Sequence, residues 1–275
     1  MKIFLKIEFN RLLKAWSFWV SIGLGLLLSI SQYIMNPLNV VKYLDVYKKL
    51  NNPMITPHSV FNNWIGGEAS SFQHYIFFMI IPILCVMPWS TSLYTDIKSG
   101  LVKNYFTRAS KLKYFTSKYI ITFLTGGIVI AMPLLLNLYL SSITLPSILP
   151  EASMGTYGVG TRAIWSSLFY THPYIYCYCY ILLIFIFSGL ISTTALALGT
   201  WINNIFTIFL MPFITCLFLY TIFQREDLLK FVPVNFLDPD QSTSNNSIVV
   251  VCAEAALLLL ISLLGISAGA KNDTI

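Results

Sequence analysis

The sequence has 275 residues, of which 56% are hydrophobic and only 10% are charged, and its formal net charge is +6. Soluble domains have about a quarter of their residues charged, so this composition excludes an ordinary soluble protein and predicts one that lies in a lipid bilayer. Because the Lys and Arg residues cluster in a few segments, we interpret the positive charge as a topology signal rather than a nucleic-acid-binding surface.

The first fourteen residues are predicted to form an amphipathic helix that lies flat in the membrane interface. Polar residues recur every four positions on one side, and apolar residues mark the other. The polar positions are Lys2, Lys6, Asn10 and Lys14, and the apolar positions are Leu5, Phe9, Leu12, Leu13 and Trp16. A secretory signal peptide, cut after the small residues of SIS at 29–31, is the competing interpretation. The apolar run before that point is long for a signal peptide, which favours an uncleaved helix.

Long apolar runs predict six transmembrane helices, because about 20 apolar residues cross a hydrocarbon core of roughly 30 Å. The predicted spans are residues 15–35, 73–93, 118–142, 174–198, 205–223 and 247–268. Strands of a membrane barrel would alternate in polarity, and these runs do not. The expected fold is therefore an all-α integral membrane protein with six transmembrane helices, forming one permease-like domain over residues 1–275.

The distribution of Lys and Arg predicts that both termini are cytoplasmic. With that orientation, eleven of the 17 Lys and Arg residues fall in the inner segments. Most of the acidic residues fall in the outer loops. Since short loops rich in Lys and Arg stay in the cytoplasm, we expect a multi-pass protein of a bacterial plasma membrane with its N- and C-termini inside.

The cytoplasmic loop at residues 94–117 combines positive charge with an apolar stripe at helical spacing. The stripe consists of Ile97, Leu101, Val102, Tyr105 and Phe106, and Lys98, Lys103 and Arg108 lie around it. One interpretation is an anchor that only holds lipid headgroups. The other is a short amphipathic helix that docks into the groove of a cytoplasmic partner.

The layout resembles the permease subunits of type-2 ATP-binding-cassette (ABC) exporters. An amphipathic N-terminal helix precedes six spans, and a basic helix and turn follow the second span. The family's loop pattern matches Asp96, Gly100, residues 101–106, RASK at 108–111 and Lys118. The chain departs from the family at Ala109, where the family often has Pro.

The resemblance implies a coupling helix that receives movement from cytoplasmic ABC ATPase subunits, and a second permease copy or homologue as a further partner. The residues that it assigns to ATPase coupling are Asp96, Lys98, Gly100, Leu101, Val102, Tyr105, Phe106 and Arg108, with Trp201 and Asn203 of GTWINN (199–204) as a smaller second contact. The sequence has no G-x-x-x-x-G-K-[ST] motif, so ATP and Mg²⁺ are expected on the partner and no cofactor on this chain. We expect no catalytic residue, no metal site and no nucleic-acid partner, with membrane lipid as the surrounding solvent.

Glu254 is an acidic residue within the predicted sixth span, where an ionisable side chain calls for a structural or functional explanation. It either hydrogen-bonds within the helical bundle or lines a translocation pathway for a cationic substrate. The expected cargo is a peptide, possible antimicrobial peptides included, or a small amphipathic compound that is exported by alternating access. Two other classes stay open: a membrane scaffold or immunity protein that transports nothing, and a secondary transporter.

Overall fold

The computed structural model describes residues 2–50, 58–106, 110–152, 157–160, 163–225, 228–241 and 246–271. Within these ranges the regular elements are all helices, which confirms the all-α class. The helical content follows from the long apolar runs, whose backbone groups must be satisfied within one segment when lipid surrounds them.

In the part of the chain that the structure describes, five helices are long and apolar enough to cross a membrane, and they coincide with five of the six predicted spans. They are α2 (Trp16–Met35), α8 (Lys111–Thr144), α10 (Pro173–Leu198), α11 (Ile205–Ile222) and α13 (Ile248–Lys271). Helix α8 begins about two turns before the predicted third span, so it takes in the end of the basic loop. The chain is therefore an all-α protein with several membrane-spanning helices.

The predicted second span, residues 73–93, is not a single helix. Helix α5 (Phe72–Val86) ends in a turn at residues 87–91, and a separate helix α6 (Ser92–Lys98) follows. Pro88 explains the break, because proline has no N–H to continue the helical hydrogen bonds. The 15 residues of α5 extend about 22 Å, less than a hydrocarbon core of roughly 30 Å.

The remaining helices are short or lie beside the spans. Helix α1 (Lys2–Lys14) precedes α2, and α3 (Pro37–Leu50) continues after it. The others are α4 (Val60–Asn63), α7 (Leu101–Phe106), α9 (Ser166–Thr171), a 3₁₀ turn at Leu229–Phe231 and α12 (Pro233–Phe236).

Helices α8 and α10 form the centre of the bundle, where glycine lets their backbones approach closely. A Cβ atom on Gly126 of α8 would lie 2.5 Å from Ser192 Cβ, and one on Gly189 of α10 would lie 2.7 Å from the Phe123 ring. Helix α13 also packs on α10, with Gly265 against Ala197. A glycine at this position therefore lets α13 approach α10 closely.

The loops and short helices contact one another at two opposite ends of the bundle. We call the first the basic end, and it contains α1, α6 and α7 beside residues 199–204 and the last turns of α13. Tyr94 of α6 donates a hydrogen bond there to the Asn203 carbonyl at 3.1 Å. At the second, the loop-rich end, Val60 N–H donates to the Pro146 carbonyl at 3.2 Å. The Tyr176 hydroxyl there donates to the Pro239 carbonyl at 2.6 Å.

Candidate functional site

Asp96 lies at the centre of a buried charge cluster at the basic end, where it joins three helices. Arg11 of α1 donates two hydrogen bonds to its carboxylate, at 2.6 Å and 3.0 Å. Lys118 Nζ and the Tyr114 hydroxyl, both on α8, donate to Asp96 Oδ2, the latter at 2.7 Å. A bidentate contact from arginine to a carboxylate fixes the relative orientation of the two side chains as well as pairing their charges. Asp96 therefore holds α6 to both α1 and α8.

Glu8 completes the cluster from the N-terminal helix. Its carboxylate accepts from Arg11 at 2.8 Å, from Lys118 at 3.2 Å and from the Trp89 indole at 3.2 Å. The Lys118 ammonium also lies 5.4 Å from the centre of the Trp89 ring, within the range of a cation–π contact. Two carboxylates thus face two cations, and the cluster is electrically balanced.

The cluster is shielded from solvent, which makes its balance important for stability. Glu8 is 1% exposed, Asp96 2% and Lys118 0%. Burial by itself would raise the pKa of Asp96, but the hydrogen bond from Arg11 and the charge of Lys118 outweigh it and lower the pKa below its ordinary value. The hydrogen bond to Asp96 in turn raises the pKa of Arg11. Asp96 and Arg11 are therefore held in their charged forms.

Helix α7, the predicted coupling helix, turns its apolar stripe towards its own chain. Gly100 separates α6 from α7, because its left-handed conformation, at φ +73°, breaks the helix between Ile97 and Leu101. Val102 is 1% exposed in a core that includes Tyr114 of α8. The predicted single amphipathic helix is thus two short helices, and Val102 lies within the protein rather than on a docking surface.

The aromatic residues of α7 also pack on α8. The Tyr105 ring stacks on Tyr114 with centroids 5.4 Å apart, and the Phe106 centroid lies 6.0 Å from that of Tyr114. Phe4 of α1 contacts the other edge of Tyr105 at 5.9 Å. These rings connect α7, the N-terminal helix α1 and the long helix α8 within one packed layer.

Lys98, Lys103 and the GTWINN turn supply the exposed part of the predicted coupling region. Lys98 and Lys103 are exposed, and Leu101 is half-buried. Trp201 is 58% exposed, and the backbone of Asn203 is bound to α6. The hydrogen bond from Tyr94 to the Asn203 carbonyl places this turn beside α6.

Arg108, also predicted to take part in coupling, lies outside the described residues.

Glu254 lies far from the charge cluster. It is half-buried on α13, about 18 Å along the helix axis from Ile266, which packs with Val102 at the basic end. Among the described residues no side chain donates a hydrogen bond to it. Its carboxylate interacts electrostatically with the Cys216 thiol of α11.

Sequence reasoning did not predict the charge cluster. Asp96 was predicted to take part in ATPase coupling and Lys118 to be a position of the loop pattern, whereas no role was predicted for Glu8 or Arg11. A local signal was present, since Glu8 stands one helical turn before Leu12, and both face the protein core. On the predicted apolar side of α1, Leu12 is 1% exposed but Phe9 is 48% exposed, so the buried side of the helix coincides only in part with the predicted apolar side.

No family model, curated protein or solved structure matches the chain.

Proposed function

We propose that this chain is the permease subunit of an ATP-driven exporter of the ABC type, with the basic end in the cytoplasm. The observation that supports the proposal is the connection from an exposed, basic helix pair to a membrane-spanning helix. Asp96 of α6 is bound to Arg11 and Lys118, and α7 packs through Val102 and Tyr105 on the same helix, α8. A surface helix fixed in this way moves together with the span to which it is attached.

In this mechanism the chain supplies no hydrolysis of its own. Cytoplasmic ABC ATPase subunits bind the exposed side of α6 and α7, including Lys98 and Lys103, and the neighbouring turn at Trp201. Their nucleotide-driven movement displaces α6 and α7, and the charge cluster transmits the displacement to α8 and α1. A second permease copy in the plasma membrane forms the other wall of the export path, and cargo leaves by alternating access.

The test is recovery of the partner from cell membranes. The tagged wild-type chain is purified in mild detergent, and co-purifying proteins with a G-x-x-x-x-G-K-[ST] motif are identified by mass spectrometry. Lys103→Glu reverses a charge on the exposed face of α7. We expect it to reduce recovery of the ATPase at least tenfold, because the new negative charge would repel the acidic surface that a basic helix binds on its partner.

Lys6→Glu is the matched control. Lys6 is exposed on α1 at the same end of the bundle, so this variant makes the same change in net charge away from α7. It is expected to retain the ATPase. If the wild-type chain recovers no such ATPase, the exporter proposal fails and the scaffold interpretation replaces it. Equal loss in both variants would refute the specific role of α7.

A further inference from the structure

A cavity of about 200 Å³ lies at the loop-rich end, between α5, α11 and the segment that contains α12. Aromatic rings form much of its wall, with one imidazole and one carboxylate at the same site. The residues used below are Tyr75, Phe78, Phe213 and Tyr220 for the rings, and His74 and Asp238 for the polar pair. A largely apolar cavity with a few convergent polar groups is the usual form of a small-molecule site.

The His74–Asp238 pair holds a proton, and the geometry shows why. His74 Nδ1 lies 2.5 Å from the Ile65 carbonyl oxygen, and Nε2 lies 3.0 Å from Asp238 Oδ2. A neutral imidazole has one donor and one acceptor nitrogen, whereas both of these partners are acceptors. The pair therefore contains an imidazolium facing a carboxylate, and its net charge is zero.

The surroundings of this pair are otherwise negative. No Lys or Arg is among the described residues that line the cavity. Asp240 acts on His74 electrostatically, and Glu68 acts on Asp240. Among the described residues that line the cavity, the remaining titratable side chains are Tyr75 of α5 and Cys216 and Tyr220 of α11.

Asp238 itself is accessible to a ligand. Its side chain is 21% exposed, and its second oxygen accepts a hydrogen bond from the Asp240 backbone N–H at 3.0 Å. A carboxylate oxygen can accept more than one contact, so the group can meet a further positive charge. His74, at 4%, is buried behind it.

We infer that this cavity binds a small organic cation with an aromatic or aliphatic body, which takes the place of the His74 proton as the counter-charge of Asp238. The rings of Tyr75, Phe78, Phe213 and Tyr220 receive the apolar body and favour a positive charge at their faces. The volume suits a ligand of about one ring, since a cavity of roughly 150 Å³ already holds benzene.

Charge and proton balance follow directly. Before binding, the imidazolium neutralises the carboxylate. When the cation enters, His74 releases one proton from Nε2 to solvent and keeps the proton on Nδ1 that it donates to Ile65. The carboxylate is then paired with the cation, and the net charge of the site is again zero.

The cavity also has a connection to α13. Cys216 lines the cavity and interacts electrostatically with Glu254, so a second carboxylate lies beyond the cavity wall. That the bound cation is cargo on its way out rests on the proposed function; that it binds does not, because the isolated chain contains the whole cavity.

The experiment uses the purified full-length chain in nanodiscs without any ATPase, and benzyltrimethylammonium as the probe, because its charge does not change with pH. Equilibrium dialysis should show saturable binding, and neopentylbenzene, its uncharged isostere, should bind at least tenfold more weakly. In lightly buffered solution at pH 6, binding should release roughly one proton per cation. Equal binding of the neutral isostere, or no proton release, would overturn the inference and indicate a cavity filled by lipid chains.

Three variants separate the roles of the charged groups. Asp238→Asn should weaken binding of the cation at least tenfold, and His74→Gln should abolish proton release while it keeps or strengthens binding. Glu68→Gln, which removes a carboxylate at the same end that does not line this cavity, should bind as the wild type does. Equal weakening by Glu68→Gln and Asp238→Asn would show that the cation is attracted by the overall negative charge of this end and not by Asp238 in particular. Loss of ATPase recovery leaves these results unaffected, so the two proposals fail separately.

Discussion

Removal of the Lys118 charge by Lys118→Met tests the charge cluster directly. Methionine fills a similar volume but leaves Glu8 and Asp96 facing Arg11 alone, so one negative charge in the cluster loses its partner. Breaking a buried ion pair by removing one partner costs about 3–5 kcal/mol. Because Lys118 is 0% exposed, solvent cannot replace the missing charge without rearrangement, and we expect a loss in that range.

The assay is unfolding in mixed micelles with an increasing fraction of dodecyl sulfate. Tryptophan fluorescence is a suitable signal, since the Trp89 indole donates a hydrogen bond to Glu8 in the cluster. Lys113→Met is the matched control, because Lys113 is exposed near the start of the same helix. A surface substitution of this kind changes stability by about 0.5 kcal/mol or less.

A second substitution checks the electrostatic reasoning. In the double variant Asp96→Asn with Lys118→Met, Glu8 and Arg11 again form a balanced pair. The double variant should therefore be less destabilised than the sum of the two single variants, by about 0.5–3 kcal/mol. If Lys118→Met costs no more than the Lys113→Met control, or if the two losses simply add, the cluster does not stabilise this end of the bundle by charge pairing.

Three further predictions concern other parts of the molecule. Burial and the neighbouring Asp238 raise the pKa of Asp240 from 3.8 to about 6. The contribution of Asp240 to folding stability is therefore complete below pH 3.8 and is lost as the pH rises through 6. Asp240→Asn should be more stable than the wild type at pH 7.5, by at most about 3 kcal/mol. Unfolding curves of the two proteins that stay parallel from pH 4 to 8 would contradict this. Gly126→Val should destabilise the α8–α10 contact by about 3 kcal/mol, since its Cβ would lie 2.5 Å from Ser192 Cβ. A thermal midpoint equal to that of the wild type would show that the two helices accommodate the side chain without loss of stability. Gln241→Ala leaves the buried N–H and carbonyl of Ile164 without their partners and should cost about 1–3 kcal/mol; protease cleavage near residue 164 reports it, and unchanged cleavage would refute it.

The membrane-spanning helices could be predicted from sequence because lipid imposes a simple requirement of length and apolarity. Helices α10 and α11 begin and end within a residue of the predicted spans. The break in the second span was less visible, since residues 73–93 satisfy the same requirement. Proline chemistry does not locate the break by itself, because Pro82 lies inside α5 whereas Pro88 lies in the turn after it.

The charge cluster could not be predicted from local patterns. Glu8 and Lys118 are 110 residues apart in the chain, and no periodicity connects them. The stripe of α7 was recognised correctly as apolar, but its spacing does not indicate whether Val102 meets another protein or α8. Partners of this kind depend on the tertiary packing of the bundle, which sequence periodicity does not encode.

The position of Lys118 has a consequence for how the protein is made. Glu8 and Asp96 leave the ribosome before Lys118, so a nascent chain that has emerged only as far as α7 contains both acids of the cluster but only Arg11 of its two cations. The charge balance of the basic end is therefore complete only after the first turns of α8 have been synthesised. We expect a product that stops short of Lys118 to leave one acid of the cluster without its partner.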